Sequence, residues 1–311
     1  MPITHAGVCR FCGRPYRGRG QLYCSVECRS AHQRGDTPLP DRIVALADAA
    51  PRFVDHPQLT NEHPWAITSD WHCRGFSSDL SLRLLEVCAA RGVDQLLIAG
   101  DFLNFDTLSR YPPSVPRPNI EDELEAAGEM MGCLAERFAT ILWIYGNHET
   151  RLERKLQLAF STGSPLGRLV APDLLRREVL TVSRYPYATI ETPCGRYMVT
   201  HPKSFSDLAP NVAERLAIKF HAHILNTHGH HVGFRFDPSG KFMCWEIGGM
   251  MDGEKIGYRQ MSVTTHRTWV GGFGILEAGH YQQYTMHPAQ TRLVAPEAPA
   301  YQAAQPINGD G

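Results

Sequence analysis

The sequence predicts an α/β fold in which a sheet with parallel strands alternates with helices. Three stretches carry that prediction: "WAITSD" (65–70), "DQLLIAGD" (94–101) and "TILWIYGN" (140–147). Each is a short, partly β-branched apolar run that ends in a polar cluster, the pattern of a strand buried on both faces. Between them, "SSDLSLRLLEVCAARG" (77–92) and "NIEDELEAAGEMMGCLAERF" (119–138) have helical periodicity. Strand–helix–strand–helix–strand is the order that builds parallel pairs.

Taken in order, residues 1–35 form a small Cys/Arg-rich unit. Residues 36–64 hold five prolines and read as a linker with one short helix. Residues 65–288 form the large domain. The helix at 77–92 opens with Ser/Asp caps and ends in Gly; that at 119–138 has acids in its first turns and Arg137 near its end. Later runs, "YATIETPCGRYMVTH" (187–201), "FMCWEIGGM" (242–250) and "GGFGILEAGHYQQYTMH" (271–287), read as antiparallel hairpin strands. The Ala/Pro/Gln-rich tail from 289 to 311 is expected to be disordered.

The chain has 311 residues, 43% hydrophobic, with formal net charge −1, so overall charge predicts no polyanion partner. Residues 1–35 differ, with six arginines (Arg10, Arg14, Arg17, Arg19, Arg29, Arg34) against Glu27 alone. There is no eighteen-residue apolar run and no secretory leader pattern, so no membrane span is expected and an intracellular, cytoplasmic setting is. Nine cysteines with four clustered at the N-terminus read as one metal site plus free thiols.

The polar clusters carry the chemistry. Asp70 and His72 follow the first strand, Asp101 the second, and Asn147 and His148 the third. His201 follows "YMVT", and His228, His230 and His231 crowd "LNTHGHHVGF" (225–234). Right-handed crossovers bring such strand ends to one edge. Asp70 and His72, two apart in an extended segment, are expected to point the same way. Oxygen and imidazole donors without cysteine suit Mn²⁺, Fe, Zn²⁺ or Ni²⁺. Seven candidate ligands are too many for one tetrahedral ion but fit two ions sharing a carboxylate.

The ordered series "DWH", "GDFLN", "GNHE", a lone His and "HGH" resembles the calcineurin-like metallophosphoesterase superfamily over residues 65–235. The strand-rich part downstream resembles the second sheet of phage- and bacteria-type members. The resemblance implies a four-layer α/β/β/α sandwich of two mixed sheets. It also implies metal-dependent hydrolysis of a phosphate ester by a hydroxide bridging two divalent ions. Residue by residue, it puts Asp70, His72 and His230 on one ion, Asn147, His201 and His228 on the other, and Asp101 between them. His148 then protonates the leaving alkoxide or positions the phosphoryl group.

Two departures matter. "THGHHVG" replaces Gly-His-x-His. Aligning on Gly229 would put Val232, which cannot bind metal, at a ligand position; His228 and His230 are the preferred pair. Phosphoprotein phosphatases of the superfamily carry an Arg directly before GNHE and a GDxVDRG motif; here Tyr145 precedes Gly146 and "GDFLNFD" lacks that Arg, which argues against that branch. Arg151, Asn104 and His231 are candidate substrate contacts. For Arg151 a surface salt bridge is an equal alternative, and for Asn104 a loop-stabilising hydrogen bond is the commoner one. His221 and His223 read as ordinary residues at a helix end, and His266, His280 and His287 as surface residues.

Cys9, Cys12, Cys24 and Cys28 have the spacing C-x2-C-x11-C-x3-C, which reads as a closed structural Zn²⁺ site resembling a treble-clef finger. Gly13 suits a knuckle turn and Ser25 a helix cap. His32 ranks below the four thiolates as a ligand. A basic finger suits a nucleic-acid adaptor, with a folding or oligomerisation module as the alternative. The leading substrate is therefore a phosphodiester of nucleic acid or a nucleotide. The alternatives are a small-molecule phosphomonoesterase and a nucleic-acid-binding adaptor whose phosphoesterase domain is inactive.

Overall fold

The computed structural model describes residues 6–17, 22–48, 56–109, 119–156, 165–256 and 269–286. The expected tail, and Arg19, His266 and His287, lie outside the described residues. The chain divides into two compact units, Met1–Asp55 and His56–Gly311.

In the first unit, β1 (Ala6–Val8) and β2 (Pro15–Arg17) pair antiparallel. Their turn carries Cys9 and Cys12 and is closed by Cys9 N–H to Arg14 O and Gly13 N–H to Cys9 O, each 2.9 Å. Gly13 sits at φ +71°, a conformation glycine adopts without a Cβ penalty. α1 (Val26–Gln33) starts at Ser25, whose hydroxyl accepts from the Cys28 N–H at 3.2 Å. α2 (Leu39–Asp48) is the short helix expected within the proline-rich segment.

The second unit starts inside the segment expected to be linker. β3 (Gln58–Thr60) is an edge strand paired parallel with a later strand, and three residues are too few to show a period in sequence. In chain order there follow β4 (Trp65–Thr68), α3 (Ser78–Arg91), β5 (Gln95–Ala99), α4 (Ile120–Arg137), β6 (Thr140–Ile144) and α5 (Glu149–Leu156). Next come α6 (Pro165–Val170), α7 (Pro172–Arg176), β7 (Leu180–Ser183), β8 (Tyr187–Thr192), β9 (Gly195–Thr200) and α8 (Asn211–Phe220). β10 (His223–Asn226), β11 (Val232–Phe236), β12 (Met243–Ile247), β13 (Gly271–Glu277) and β14 (His280–Met286) complete it.

One sheet has the order β14-β13-β4-β5-β6-β7, with β4 to β7 parallel and β13 antiparallel to both its neighbours. The other has the order β11-β12-β10-β9-β8-β3. β8–β9 and β13–β14 are hairpins, as the sequence predicts. β12 departs from that prediction: it pairs antiparallel with β11 but parallel with β10. Both sheets are mixed.

Strand alternation builds four layers. Ile67, Leu97, Leu142 and Ile144 of the first sheet meet Ile190, Tyr197, Val199 and Leu225 of the second. On the outer face of the first sheet, Leu96, Ile98 and Trp143 pack with Leu84 of α3 and Met131 of α4. On the outer face of the second, Met198 and Ile224 pack with Ala213 and Ala217 of α8. The helix ends match their sequence signals: Ser77 accepts from Leu80 N–H at 3.4 Å, Gly92 closes α3 at φ +65°, and Asn119 accepts from Asp122 N–H at 2.6 Å.

His221 and His223 do not share a helix end. α8 stops at Phe220, with His221 left-handed at φ 51° behind it. His223 opens β10 and is buried, its Nδ1 accepting from Met243 N–H at 2.9 Å and its Nε2 donating to Cys194 O at 3.1 Å.

Candidate metal centre

The segments leaving β4, β5, β6, β9 and β10 converge. Asp70, His72 and His230 form one set, and Asp101, His201 and His228 another; within each set, one ligand atom per residue lies within 4.8 Å of the others. His230 Nε2 is 2.9 Å and His72 Nε2 3.8 Å from Asp70 Oδ1. His201 Nε2 is 3.2 Å from Asp101 Oδ2 and 3.1 Å from Asn147 Oδ1, so Asn147 joins the second set. Of the two ways to align "THGHHVG", only the His228/His230 one brings both side chains in; Val232 lies in β11.

Asp70 and His72 do converge, but not because the chain is extended there. Both are left-handed, at φ 50° and 44°, as are Asp101, His228 and His230 at 50°, 78° and 57°. Each such residue costs roughly 1–3 kcal/mol and persists only where its surroundings over-determine it. The surroundings here are a short ladder between loops: Asp70 N–H to Gly100 O at 3.0 Å, His72 N–H to Asp101 O at 3.0 Å and Cys73 N–H to Phe102 O at 2.8 Å. Glu149, fully buried, ties the loops after β5 and β6 together. Its carboxyl accepts from the N–H groups of Asp101 (3.0 Å), Leu103 (3.1 Å) and Gly146 (2.7 Å). Gly146 packs so tightly on the Asp101 carboxylate that no Cβ fits there.

The electrostatics call for positive charge at this place. Burial opposes the ionisation of Asp101, yet the surrounding histidines, among them the hydrogen-bonded His201, hold its carboxyl well below the usual range. Burial would lower His201, but the carboxylates of Asp101 and Asp70 lift it to about 10. His228 is pushed down to about 4 by burial and by His201. Two buried carboxylates among imidazoles, of which His201 keeps an extra proton that a bound cation would displace, fit divalent cations of the borderline class. The His201 ring is pinned through Nδ1, which donates to Ala99 O at 2.9 Å and leaves Nε2 directed at Asp101.

His148 stands beside these sets, Nε2 3.6 Å from Asp101 Oδ2. Its Nδ1 lies 2.6 Å from Asn104 O and its Nε2 2.9 Å from Arg151 Nη2. A carbonyl only accepts and a guanidinium only donates, so the ring is neutral with its proton on Nδ1. Burial likewise pushes His148 well below its ordinary range. Asn104 accepts at Oδ1 from His72 Nδ1 (3.1 Å) and gives Nδ2 to Asp106 (2.9 Å). Arg151 also donates to Asn104 O (2.8 Å) and Asp106 (3.2 Å). His231 is buried, 6.2 Å from the Phe205 ring, and lies in neither ligand set.

These observations agree with a family comparison. The model for the calcineurin-like phosphoesterase family matches residues 63–241. The chain belongs to that family. It is accordingly a metal-dependent phosphoesterase in class, as the five ordered motifs imply. Among solved structures it is similar to the phosphoesterase Yfce from E. coli, at 15% identity, covering 75% of this chain and 99% of that one, TM-score 0.38. It is also similar to Vps29 from Entamoeba histolytica (10% identity, 75% and 97% covered, TM-score 0.41) and from Chaetomium thermophilum (9%, 76% and 95%, TM-score 0.43). No curated protein matches it in sequence.

Sequence reasoning assigned no role to Glu149, Asp106 or Glu246, although each stands within or beside a quoted motif. Glu246, in β12, is buried, and burial pushes it up to about 8. A charged residue in the otherwise apolar "FMCWEIGGM" was the available signal.

In the first unit the four cysteine sulfurs also lie within 4.8 Å of one another. Cys12 and Cys24 are 3.4 Å apart, Cys24 and Cys28 3.6 Å. A tetrahedron with Zn–S near 2.3 Å has edges of about 3.8 Å, so the cage has the size of a four-thiolate zinc site. The hydrogen bond with Cys12 pushes Cys24 up to about 12. At Cys9, desolvation is outweighed by the N–H groups of Cys12, Cys24 and Phe11, bringing it down to about 6. His32 is outside the cluster, 5.4 Å ring to ring from Tyr23.

Proposed function

We propose that the chain hydrolyses a phosphodiester of nucleic acid or a nucleotide, with two divalent ions held by the paired ligand sets and a zinc in the four-cysteine unit. The observation that carries the hydrolytic reading is the adjacency of two buried ligand sets with His148 and Arg151 at their rim. In this reading Asp70, His72 and His230 hold one ion, Asn147, His201 and His228 the other, and Asp101 serves both. Ions bound there supply charge neutralisation at the phosphoryl oxygens and lower the pKa of an attacking water. The chain's own residues do the rest. Asp101 and Asp70 set the charge of the site, and Ala99 O and Asn104 Oδ1 fix the His201 and His72 rings. Arg151 exchanges its contact with His148 for a phosphoryl oxygen, and His148 Nε2, a lone-pair atom in this tautomer, is then open to take the proton released by the attacking water and pass it to the leaving oxygen.

The preference for a polynucleotide rests on the first unit, where Arg10, Arg14 and Arg29 are exposed. Cationic side chains on a small rigid module contact phosphates and release counterions. The deciding experiment compares turnover of a chromogenic monoester, a chromogenic diester and single- and double-stranded DNA with Mn²⁺, Fe²⁺, Zn²⁺ and Ni²⁺. A chain lacking residues 1–35 is run beside the full chain. Diester turnover retained by the short chain, with polynucleotide binding weakened in a salt-dependent way, supports the reading. Monoester preference points to the small-molecule alternative. No turnover with any metal, but DNA binding retained, points to the adaptor.

A further inference from the structure

We propose that Asp106 is a positioning residue of this site, holding Asn104 and Arg151 so that they fix the His72 ring and reach His148. The inference rests on the phosphoesterase reading above. The sequence motifs give Asp106 no role, and its place is set by the fold.

The anchor comes first. Asp106 follows Phe105, which is fully buried and left-handed at φ 47°. The N–H groups of Asn104 and Phe105 both donate to Glu123 Oε1 from α4, at 2.5 and 2.8 Å. Those contacts turn the chain so that the Asp106 carboxylate lies back against residue 104. One of its oxygens accepts Asn104 Nδ2 at 2.9 Å, the other Arg151 Nη1 at 3.2 Å.

Each bond has a consequence further along. A carboxylate only accepts, so the Asn104 atom facing Asp106 must be its NH₂ group. Asn104 therefore presents Oδ1 to His72 Nδ1, which must carry the ring proton. His72 Nε2 is left as the lone-pair atom facing Asp70 and His230. An unanchored carboxamide could flip and donate to His72 instead, forcing the proton onto Nε2, the wrong tautomer for a ligand. On the other branch, Asp106 and Asn104 O grip Arg151 Nη1, which aims Nη2 at His148 Nε2. The Asp106 and Arg151 side chains are each 20% exposed, so the pair is reachable from solvent yet held.

The test uses the full chain with Asp106→Ala, Asp106→Asn and Asp106→Glu. Long-range ¹H–¹⁵N NMR of the metal-free protein reads the imidazole tautomers directly. In the parent protein His72 and His148 carry the proton on Nδ1; in Asp106→Ala, His72 becomes a mixture of tautomers, and Asp106→Asn, which keeps one acceptor oxygen for Asn104 Nδ2, shifts less, while the thermal midpoints stay close to the parent's. With Mn²⁺ and bis(4-nitrophenyl) phosphate, kcat/KM falls about 10–100-fold in Asp106→Ala. Asp106→Ala combined with Arg151→Ala is no worse than the weaker single variant, and Asp106→Glu recovers part of the loss. An unchanged His72 tautomer in Asp106→Ala, or strictly additive losses, overturns the proposal. If the parent protein hydrolyses no phosphate ester, the functional reading fails, and the NMR result still decides the role of Asp106.

Discussion

The carboxyl of Glu246 occupies the space that a Cβ at residue 229 would need: such an atom would sit 3.3 Å from Glu246 Cδ and closer still to Oε1. Gly229 lies between His228 and His230, one in each ligand set. A Cβ at the centre of "HGH" is therefore opposed by a buried side chain of β12, a different strand. Gly229→Ala is expected to displace both histidines and to weaken metal binding about 10–100-fold. Adding Glu246→Ala should restore part of it, because the obstruction is gone. Metal stoichiometry by elemental analysis, on both variants, checks this.

Asp101→Asn is expected to reduce turnover to background. The carboxylate takes the His148 N–H at 2.9 Å through Oδ1 and faces His201 through Oδ2. The amide keeps the shape but removes the charge that is proposed to serve both ligand sets. Turnover near that of the parent protein would end the idea that Asp101 serves two ions.

His148→Asn is expected to keep both ions and slow hydrolysis by roughly 10²–10⁴. His148 is outside both ligand sets, which fits the substrate-facing role proposed for it. Metal content measured alongside kcat separates this from the alternative, since loss of an ion would make His148 a ligand.

Glu123 gives a pH dependence with a defined sign. Burial holds its carboxyl up at about 7, against an ordinary 4.5. Between those values the unfolded chain has released the proton and the folded one has not. The folded state therefore binds more protons, and stability falls as pH rises through the window. The size is at most about 3 kcal/mol. Glu123→Gln keeps an acceptor for the Asn104 and Phe105 N–H groups and should remove this slope. Urea midpoints of both proteins at pH 4.5 and pH 8 check it: the parent should lose more stability than the variant on going to the higher pH.

Cys9→Ser is expected to abolish zinc binding and unfold residues 6–48 while leaving turnover of a small diester unchanged. A segment this short has too small a core to stand without its metal. Zinc release, followed with a chromogenic chelator, and diester kinetics on the same preparation test the two halves of the statement.

The three strands β4, β5 and β6, helices α3 and α4, and the ordered motifs at their ends were legible in the chain, because each is a local pattern. Apolar runs, caps and residue types at fixed spacing need no knowledge of what lies across the sheet. The same holds for the four cysteines and for Ser25 and Gly13. What the tertiary structure alone decided was how distant segments answer one another. The three-residue β3, the parallel pairing of β12 with β10, and the left-handed turns at Asp70 and His72 follow from neighbours far off in sequence. Glu149, Glu246 and Asp106 acquire their roles in the same way, since a carboxyl group becomes an amide clamp, a steric stop or a carboxamide anchor only when folding buries it beside a particular loop. Local chemistry chose the ligands; burial and close packing chose what holds them in place.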